Sequence, residues 1–224
     1  MSSFSFFCPQ KHVASNFEPA LIKDLSGQYK EFNQLAADTF DMQAKEFIGL
    51  KASDINEILR YQNNDFLGPV ERLDYEARNG RIASNRRVFR VPSGFVRVID
   101  TVKHPLFSSA SDRKVNGILT IANDRTHTLT RLELLELYLQ EHKTKNAAFD
   151  NFLTYLNIRC FFADFPSYRQ LVALLLCANS RSYAVVGRRM NINARTVETN
   201  INAIRNRLHN KEELELVFRV LEGD

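Results

Sequence analysis

The spacing of apolar residues changes once along this chain, and that change limits the folds open to it. Between Arg86 and Ala122 the spacing is two. Arg87, Phe89 and Val91 alternate with Val88 and Arg90, and Phe95, Arg97 and Ile99 alternate with Val96, Val98 and Asp100. That alternation gives each segment one inward and one outward face, as β-strands require. From Thr130 onward the spacing is three to four. Leu132, Leu135 and Leu139 form one stripe, and Val197, Ile201, Ile204 and Leu208 form another at i, i+4, i+7 and i+11. Those are helical faces. A chain with both patterns in separate halves predicts a sheet-bearing unit followed by a helical one.

The first half reads as strand, strand, helices, then three strands. Ala20 to Asp24 is a short run that ends at the turn signal Ser26-Gly27, and Tyr29 to Phe32 resumes the strand, so a hairpin is expected. Asn33 suits the cap of a following helix that carries Leu35, Ala36 and Phe40. Ile55, Ile58, Leu59, Phe66, Val70 and Leu73 predict a helical stretch interrupted near Gly68-Pro69 and ended at Asn79-Gly80. Strands at 86–91, 95–102 and 115–122 follow, with Pro92-Ser93-Gly94 as the tight turn between the first two. Hairpin connections predict an antiparallel sheet with helices on one face.

Length and composition exclude several classes. At 224 residues with 44% hydrophobic and 25% charged content, the chain suits one or two globular domains rather than a disordered segment. The longest apolar run, Leu171 to Ala178, is far short of the roughly 20 residues of a membrane span. Met1 to Gln10 carries no basic region and no small-residue cleavage site, so no signal peptide is expected. Cys8, Cys160 and Cys177 are odd in number and widely spaced. They form no metal-binding set, fit a reduced cytoplasmic protein, and each reads as a small buried apolar residue. No Walker loop, GxSxG, HExxH or dinucleotide-binding glycine pattern is present, so no enzyme is expected.

Charge is uneven. Residues 1–125 hold 17 basic and 15 acidic side chains. Residues 166–211 hold Arg169, Arg181, Arg188, Arg189, Arg195, Arg205, Arg207 and Lys211 against the single acid Glu198. A basic block beside a neutral one suggests a module that meets a polyanion. That block also reads as helix, turn, helix, turn, helix. Leu171, Leu174, Leu175 and Ala178 give the first inner face, and Tyr183, Val186 and Met190 the second. The third helix opens at Asn193, with Ile192 and Val197 placed as a hydrophobic staple. Its outward face shows Arg195, Glu198, Thr199, Asn202, Arg205 and Asn206, as a helix laid in a DNA major groove requires. Leu214, Leu216, Val217 and Val220 supply a fourth helix. Between the halves, Thr130 to Glu133 fits a capping box, and a second helical stretch over 147–162 bears Phe149, Phe152, Leu153, Leu156, Phe161 and Phe162. This apolar surface either packs on the protein's own sheet or forms a dimer seam.

Two resemblances join these readings. Leu21-Ile22-Lys23-Asp24 with Gly27, then Asn33 and Ala36, then Phe47-Ile48-Gly49, resembles the opening of a PAS domain. His104-Pro105-Leu106-Phe107, Asn116-Gly117-Ile118-Leu119, and Ala122, Asp124 and Thr126 resemble its last two strands. Met190, Ile192 and Arg195-Thr196-Val197-Glu198-Thr199, with Ile204, Arg207-Leu208 and Glu215-Leu216-Val217, resemble the LuxR-type helix-turn-helix. Val186-Gly187 stands where that family has Ile-Ala. The chain departs from the family where its first helix usually carries two acids, here Gln170 and Val172. It departs again at the usual Lys-Glu, here Ala184-Val185, and at a common His, here Asn200.

The expectation is an α+β chain with four segments: an N-terminal segment (1–16), a five-stranded antiparallel PAS domain with helices on one face (17–126), connector helices (127–165) and an all-α LuxR-type bundle (166–224). The resemblance implies a cytoplasmic transcription regulator that binds double-stranded DNA as a homodimer. Its PAS domain would serve for dimerisation, either with a small-molecule pocket or with a filled core that takes no ligand. The layout is also similar to that of conjugative-transfer activators of F-like plasmids. Glu198, Thr199 and Asn202 would face base edges. Arg188, Arg189, Arg195, Thr196, Arg205, Arg207 and Lys211 would complete the DNA-binding set. A ligand pocket would be lined by Phe40, Ile55, Leu59, Phe66 and Val70. No histidine lies between Asn56 and Asn79 and no cysteine between Phe17 and Thr126, which disfavours haem and covalent flavin, so no cofactor is expected. The rival reading is an interaction protein whose helix-turn-helix binds a partner regulator instead of DNA.

Overall fold

The computed structural model describes residues 18–59, 67–108 and 114–222. The chain divides into two compact units, Met1–Thr128 and Leu129–Asp224. In the first, five strands form one antiparallel sheet in the order β2-β1-β5-β4-β3. They are β1 (Ala20–Asp24), β2 (Tyr29–Phe32), β3 (Ala83–Arg90), β4 (Val96–Phe107) and β5 (Val115–Asp124). Helices α1 (Gln34–Phe40), α2 (Ala44–Phe47), α3 (Ala52–Leu59) and α4 (Leu67–Arg78) lie between β2 and β3 in sequence. The α+β class and the antiparallel five-stranded sheet are as the sequence predicts.

Local chemistry fixes these elements. The Asp24 carboxylate accepts from the Ser26 and Gln28 amides at 2.8 and 3.0 Å, and Gly27 takes φ +86°, so the β1–β2 turn closes as an Asx turn. Asn33 caps α1, its Oδ1 accepting from the Ala36 amide at 2.8 Å. The same oxygen accepts from the Ala20 amide at 3.0 Å, and its Nδ2 donates to the Glu18 carbonyl at 2.8 Å. One side chain thus joins the helix start to β1.

Strand bounds move: β3 begins three residues earlier than expected and β5 ends two later. Gly68-Pro69 lies in the first turn of α4 as described from Leu67, where a proline loses no intrahelical hydrogen bond; the residues before it, on which the expected interruption also depends, lie outside the described residues. Strand β4 runs five residues past Val102, through Pro105. Its pairing with β3 ends at Lys103, so Pro105 has a neighbour on the β5 side alone and needs no donor on the other.

The helix-covered core gathers Leu21, Tyr29, Phe32, Phe47, Ile55 and Val70, with Phe32 and Phe47 stacked at 3.9 Å. Three charged side chains lie buried beside it. Lys23 on β1, Lys103 on β4 and Asp74 on α4 are each under 5% exposed. The Lys23 Nζ donates to Asp74 at 2.8 Å. The Lys103 Nζ donates to the other Asp74 oxygen and to the Val70 carbonyl, the latter at 3.2 Å. Burial, with the Lys23 charge adding to it, pushes the Lys103 ammonium down to about 7. Burial disfavours the Asp74 carboxylate too, but the two lysines outweigh it and hold its pKa below the usual carboxylate range.

The second unit is helical: α5 (Arg131–Glu141), α6 (Lys145–Tyr155), α7 (Tyr168–Asn179), α8 (Tyr183–Met190), α9 (Ala194–Arg205) and α10 (Leu214–Glu222). The capping box at Thr130 and Glu133 forms as expected. The buried face of α5 is Leu134, Leu135 and Tyr138, with Leu132 and Leu139 at its half-buried flanks, so the face is rotated from the leucine stripe toward the larger Tyr138. Helix α5 packs on α6 and α7, so the connector's apolar surface is covered inside the helical unit. The second connector helix is shorter than the 147–162 pattern suggests. It stops at Tyr155 because Asn157 turns to φ +56°, and Phe161 and Phe162 fall in a 3₁₀ turn and the residue after it. Cys177 is buried and its thiol is pushed up to about 11 by that burial, whereas Cys160 is exposed, contrary to the expectation for it.

Asp74→Asn should cost about 3–5 kcal/mol in the first unit's stability, because two buried ammonium groups lose their anion. Lys103 binds fewer protons folded than unfolded between pH 7 and about 10.5, its ordinary value. Stability should therefore rise with pH across that window, and the Lys103→Met protein should lack that rise in urea titrations at pH 7 and 10.

Candidate nucleic-acid interface

The site is built on a hairpin of helices whose spacing is set by one residue without a side chain. A Cβ on Gly187 of α8 would lie 2.7 Å from the Ile192 carbonyl oxygen and 3.3 Å from the Ala194 nitrogen. The Ile192 amide donates to the Gly187 carbonyl at 2.9 Å. Helix α8 therefore meets the following turn backbone to backbone. Asn191 makes that turn in the left-handed region at φ +54°, a conformation asparagine tolerates. Asn193 then caps α9, its Oδ1 accepting from the Thr196 amide at 2.7 Å and the Thr196 hydroxyl at 2.9 Å. Val197, Ile201, Ile204 and Leu208 are all buried, as their spacing predicts.

The far end of α9 is tied down as well. Phe162 and Leu208 form a short antiparallel bridge. The Ala163 amide donates to the Arg207 carbonyl at 2.8 Å, and the His209 amide to the Phe161 carbonyl at 3.0 Å. Arg159 braces this stretch, donating to Asp150 at 2.6 Å and to the Phe162 carbonyl at 2.7 Å while lying 4.8 Å over the Phe165 ring.

The structure places the sequence-derived residues as follows. Arg188 and Arg189 are exposed in the last turn of α8. Arg195, Thr196, Glu198, Thr199, Asn202 and Arg205 are exposed along α9, and Lys211 is exposed in the next 3₁₀ turn. Their availability differs. Thr196 is occupied as part of the cap. The Thr199 hydroxyl donates to the Arg195 carbonyl at 2.9 Å, so toward a ligand it presents acceptor lone pairs. Arg205 donates to Asn202 Oδ1 at 3.2 Å, leaving both Nδ2 protons and one oxygen lone pair of Asn202 outward. Arg207 is half-buried and its Nε donates to Gln170 at 3.2 Å, so it braces α9 against α7.

Arg181, counted in the basic block, is exposed but already engaged. Its Nε donates to Glu222 at 2.7 Å, its Nη2 donates to Glu215 at 3.1 Å, and the guanidinium lies 4.1 Å over Phe218. It clamps α10 to the loop before α8. Gln170 stands where the resemblance has an acid. It completes a capping box with Ser167, a local Ser-x-x-Gln pattern that the sequence reading missed, and receives Arg207 from 37 positions later, a role no local pattern announces.

In the sheet unit, Phe40, Ile55 and Val70 belong to or pack against one core cluster, and Phe40 stacks on Phe89 at 5.4 Å. Phe66 and the Leu59 side chain lie outside the described residues. Among the described residues there is no group of acidic, histidine and cysteine side chains arranged for a metal, and no helix long and apolar enough to cross a membrane.

No family model matches the chain, and no curated protein does. Solved structures give similarities at low identity. A Vibrio cholera VqmA–ligand–DNA complex is 15% identical over 97% of this chain and 89% of that one, with a TM-score of 0.44. A phage VqmA–DPO complex is 20% identical over 95% and 86%, with a TM-score of 0.41. The PAS domain of a Colwellia psychrerythraea protein is 16% identical over 52% of this chain and 92% of its own, also at 0.41.

Gly187→Ala tests the close approach. Alanine in a helix interior ordinarily gains about 0.5–1 kcal/mol over glycine. Here the added methyl meets backbone, which yields little, so urea unfolding should show a net loss of about 1–3 kcal/mol. A variant as stable as the parent would mean that α8 and the turn have room to part.

Proposed function

We propose that this protein is a DNA-binding transcription regulator that reads duplex DNA through α9. The observation that carries the reading is the outward face of that helix. It presents Arg195, Glu198 and Asn202 to solvent on a scaffold held rigid by the Gly187 contact at one end and the Phe162–Leu208 bridge at the other. Asn202 and Glu198 match adenine and cytosine edges respectively. Arg188, Arg189, Arg195 and Arg205 suit phosphates, which position a protein without specifying sequence. Lys211 suits the same role. Arg207 is withdrawn from it by its bond to Gln170.

The active form is a homodimer in the cytoplasm, with two α9 helices about 34 Å apart on one DNA face. The sheet unit supplies dimerisation and takes up a small molecule at Phe40, Ile55, Leu59, Phe66 and Val70. Because the described members of that set are packed, ligand entry requires their side chains to part. The protein carries out no catalysis in this reading.

Selection from a random duplex library with the full-length protein tests the assignment, followed by titration of the winner at two salt concentrations. Two half-sites about one helical turn apart are expected. Asn202→Ala should cost about 1–3 kcal/mol on that site and relax base preference there. Arg189→Ala should weaken all sequences alike and reduce the salt slope by about one. If Asn202→Ala weakened random DNA as much as the selected site, the base-reading role would be wrong.

A further inference from the structure

The helical unit carries a trough of about 500 Å³, open on one side, that shares only Arg189 with the proposed DNA-contacting residues. Its floor is apolar: Leu132 from α5, Val172 and Leu176 from α7, and Met190 from α8. Two exposed guanidinium groups, Arg169 and Arg189, stand at its edges. Neither makes an ion pair with any described carboxylate. Tyr168 also lines it, and its hydroxyl donates to Glu136, which occupies that acid.

We propose that this trough is a docking site for an acidic amphipathic helix of a partner protein. An apolar depression bordered by unpaired arginines combines the two properties of such a surface. Arginine, methionine and tyrosine, all present here, are enriched in interaction sites. Helices bind such grooves with apolar side chains at i, i+4 and i+7. A carboxylate beside those side chains would meet Arg169 or Arg189 at the partly desolvated margin, where a charge-assisted bond is stronger than in open water. DNA fits less well, since phosphates would satisfy the arginines but leave the floor without an apolar partner. The occupant would touch connector helix α5 and scaffold helices α7 and α8 together, and so would bias how they pack. The trough shares Arg189 with the phosphate-contacting set of the DNA-reading assignment, but α9 supplies none of its lining, so Arg169, which lies outside that set, separates the two readings.

The test is selection of a displayed random library of helical peptides, about 16 residues each, against the full-length protein, followed by fluorescence anisotropy with the enriched peptides. Enrichment of peptides with spaced leucines and flanking Glu or Asp is expected. Arg169→Glu should weaken them about tenfold or more, Arg169→Lys should restore part of the loss, and added salt should weaken them. Val172→Gln, at a half-buried position the fold should tolerate, should weaken them without lowering the thermal midpoint. Affinity of Arg169→Glu for the selected duplex should stay within about twofold of the parent. No enrichment, enrichment of basic peptides, or peptides insensitive to Arg169→Glu would overturn the proposal. So would an Arg169→Glu protein that loses DNA affinity tenfold while keeping its peptides, which would assign the rim to phosphates.

Discussion

At Gly187 two stretches of backbone meet with no side chain between them, and the geometry of the helical unit follows from that contact. Any larger residue would push α8 away from the turn at Ile192 and change the angle at which α9 leaves it. Asn191 in the left-handed region and Asn193 at the cap complete a turn short enough to transmit that constraint. The apolar face of α9 then has one way to pack, and its polar face is turned outward as a consequence. The chemistry displayed on the surface is thus set by a steric limit beneath it.

The two units treat charge in opposite ways. In the sheet unit, Lys23, Asp74 and Lys103 are drawn into the interior and bonded to one another, so helix α4 is fixed to two strands by groups that are costly to bury unpaired. In the helical unit the basic groups of the block stay exposed or half-buried, yet two of them are already engaged. Arg181 and Arg207 serve as braces for α10 and α9, so the charge available to a polyanion is smaller than the sequence count suggests.

Much of this architecture was legible in the chain because its signals are local. The Asp24–Gly27 turn, the Asn33, Thr130 and Asn193 caps and the inner face of α9 each depend on residues within a few positions of one another. What escaped the reading depends on distance along the chain. Arg181 meets its carboxylates 34 and 41 positions later, and Asp74 lies 51 from Lys23 and 29 from Lys103. A trace of the buried triad was present, since Lys23 shares a strand face with the core residue Leu21 and period-two alternation points it inward. The overrun of the second connector helix has a different cause. Phe161 and Phe162 continue an apolar pattern that Asn157 ends by its backbone conformation, and composition does not display that. For α9, the sequence placed the polar residues at positions the structure leaves exposed, but not which of their hydrogen-bonding atoms are already engaged.

The bridge between Phe162 and Leu208 bears on how such a chain can change over generations. It fixes the number of residues between the left-handed Asn157 and Ala163, because inserting or deleting one there would move Ala163 away from the Arg207 carbonyl it must reach. Variation in this short stretch is therefore confined to substitutions, and lengthening or shortening must fall elsewhere in the chain.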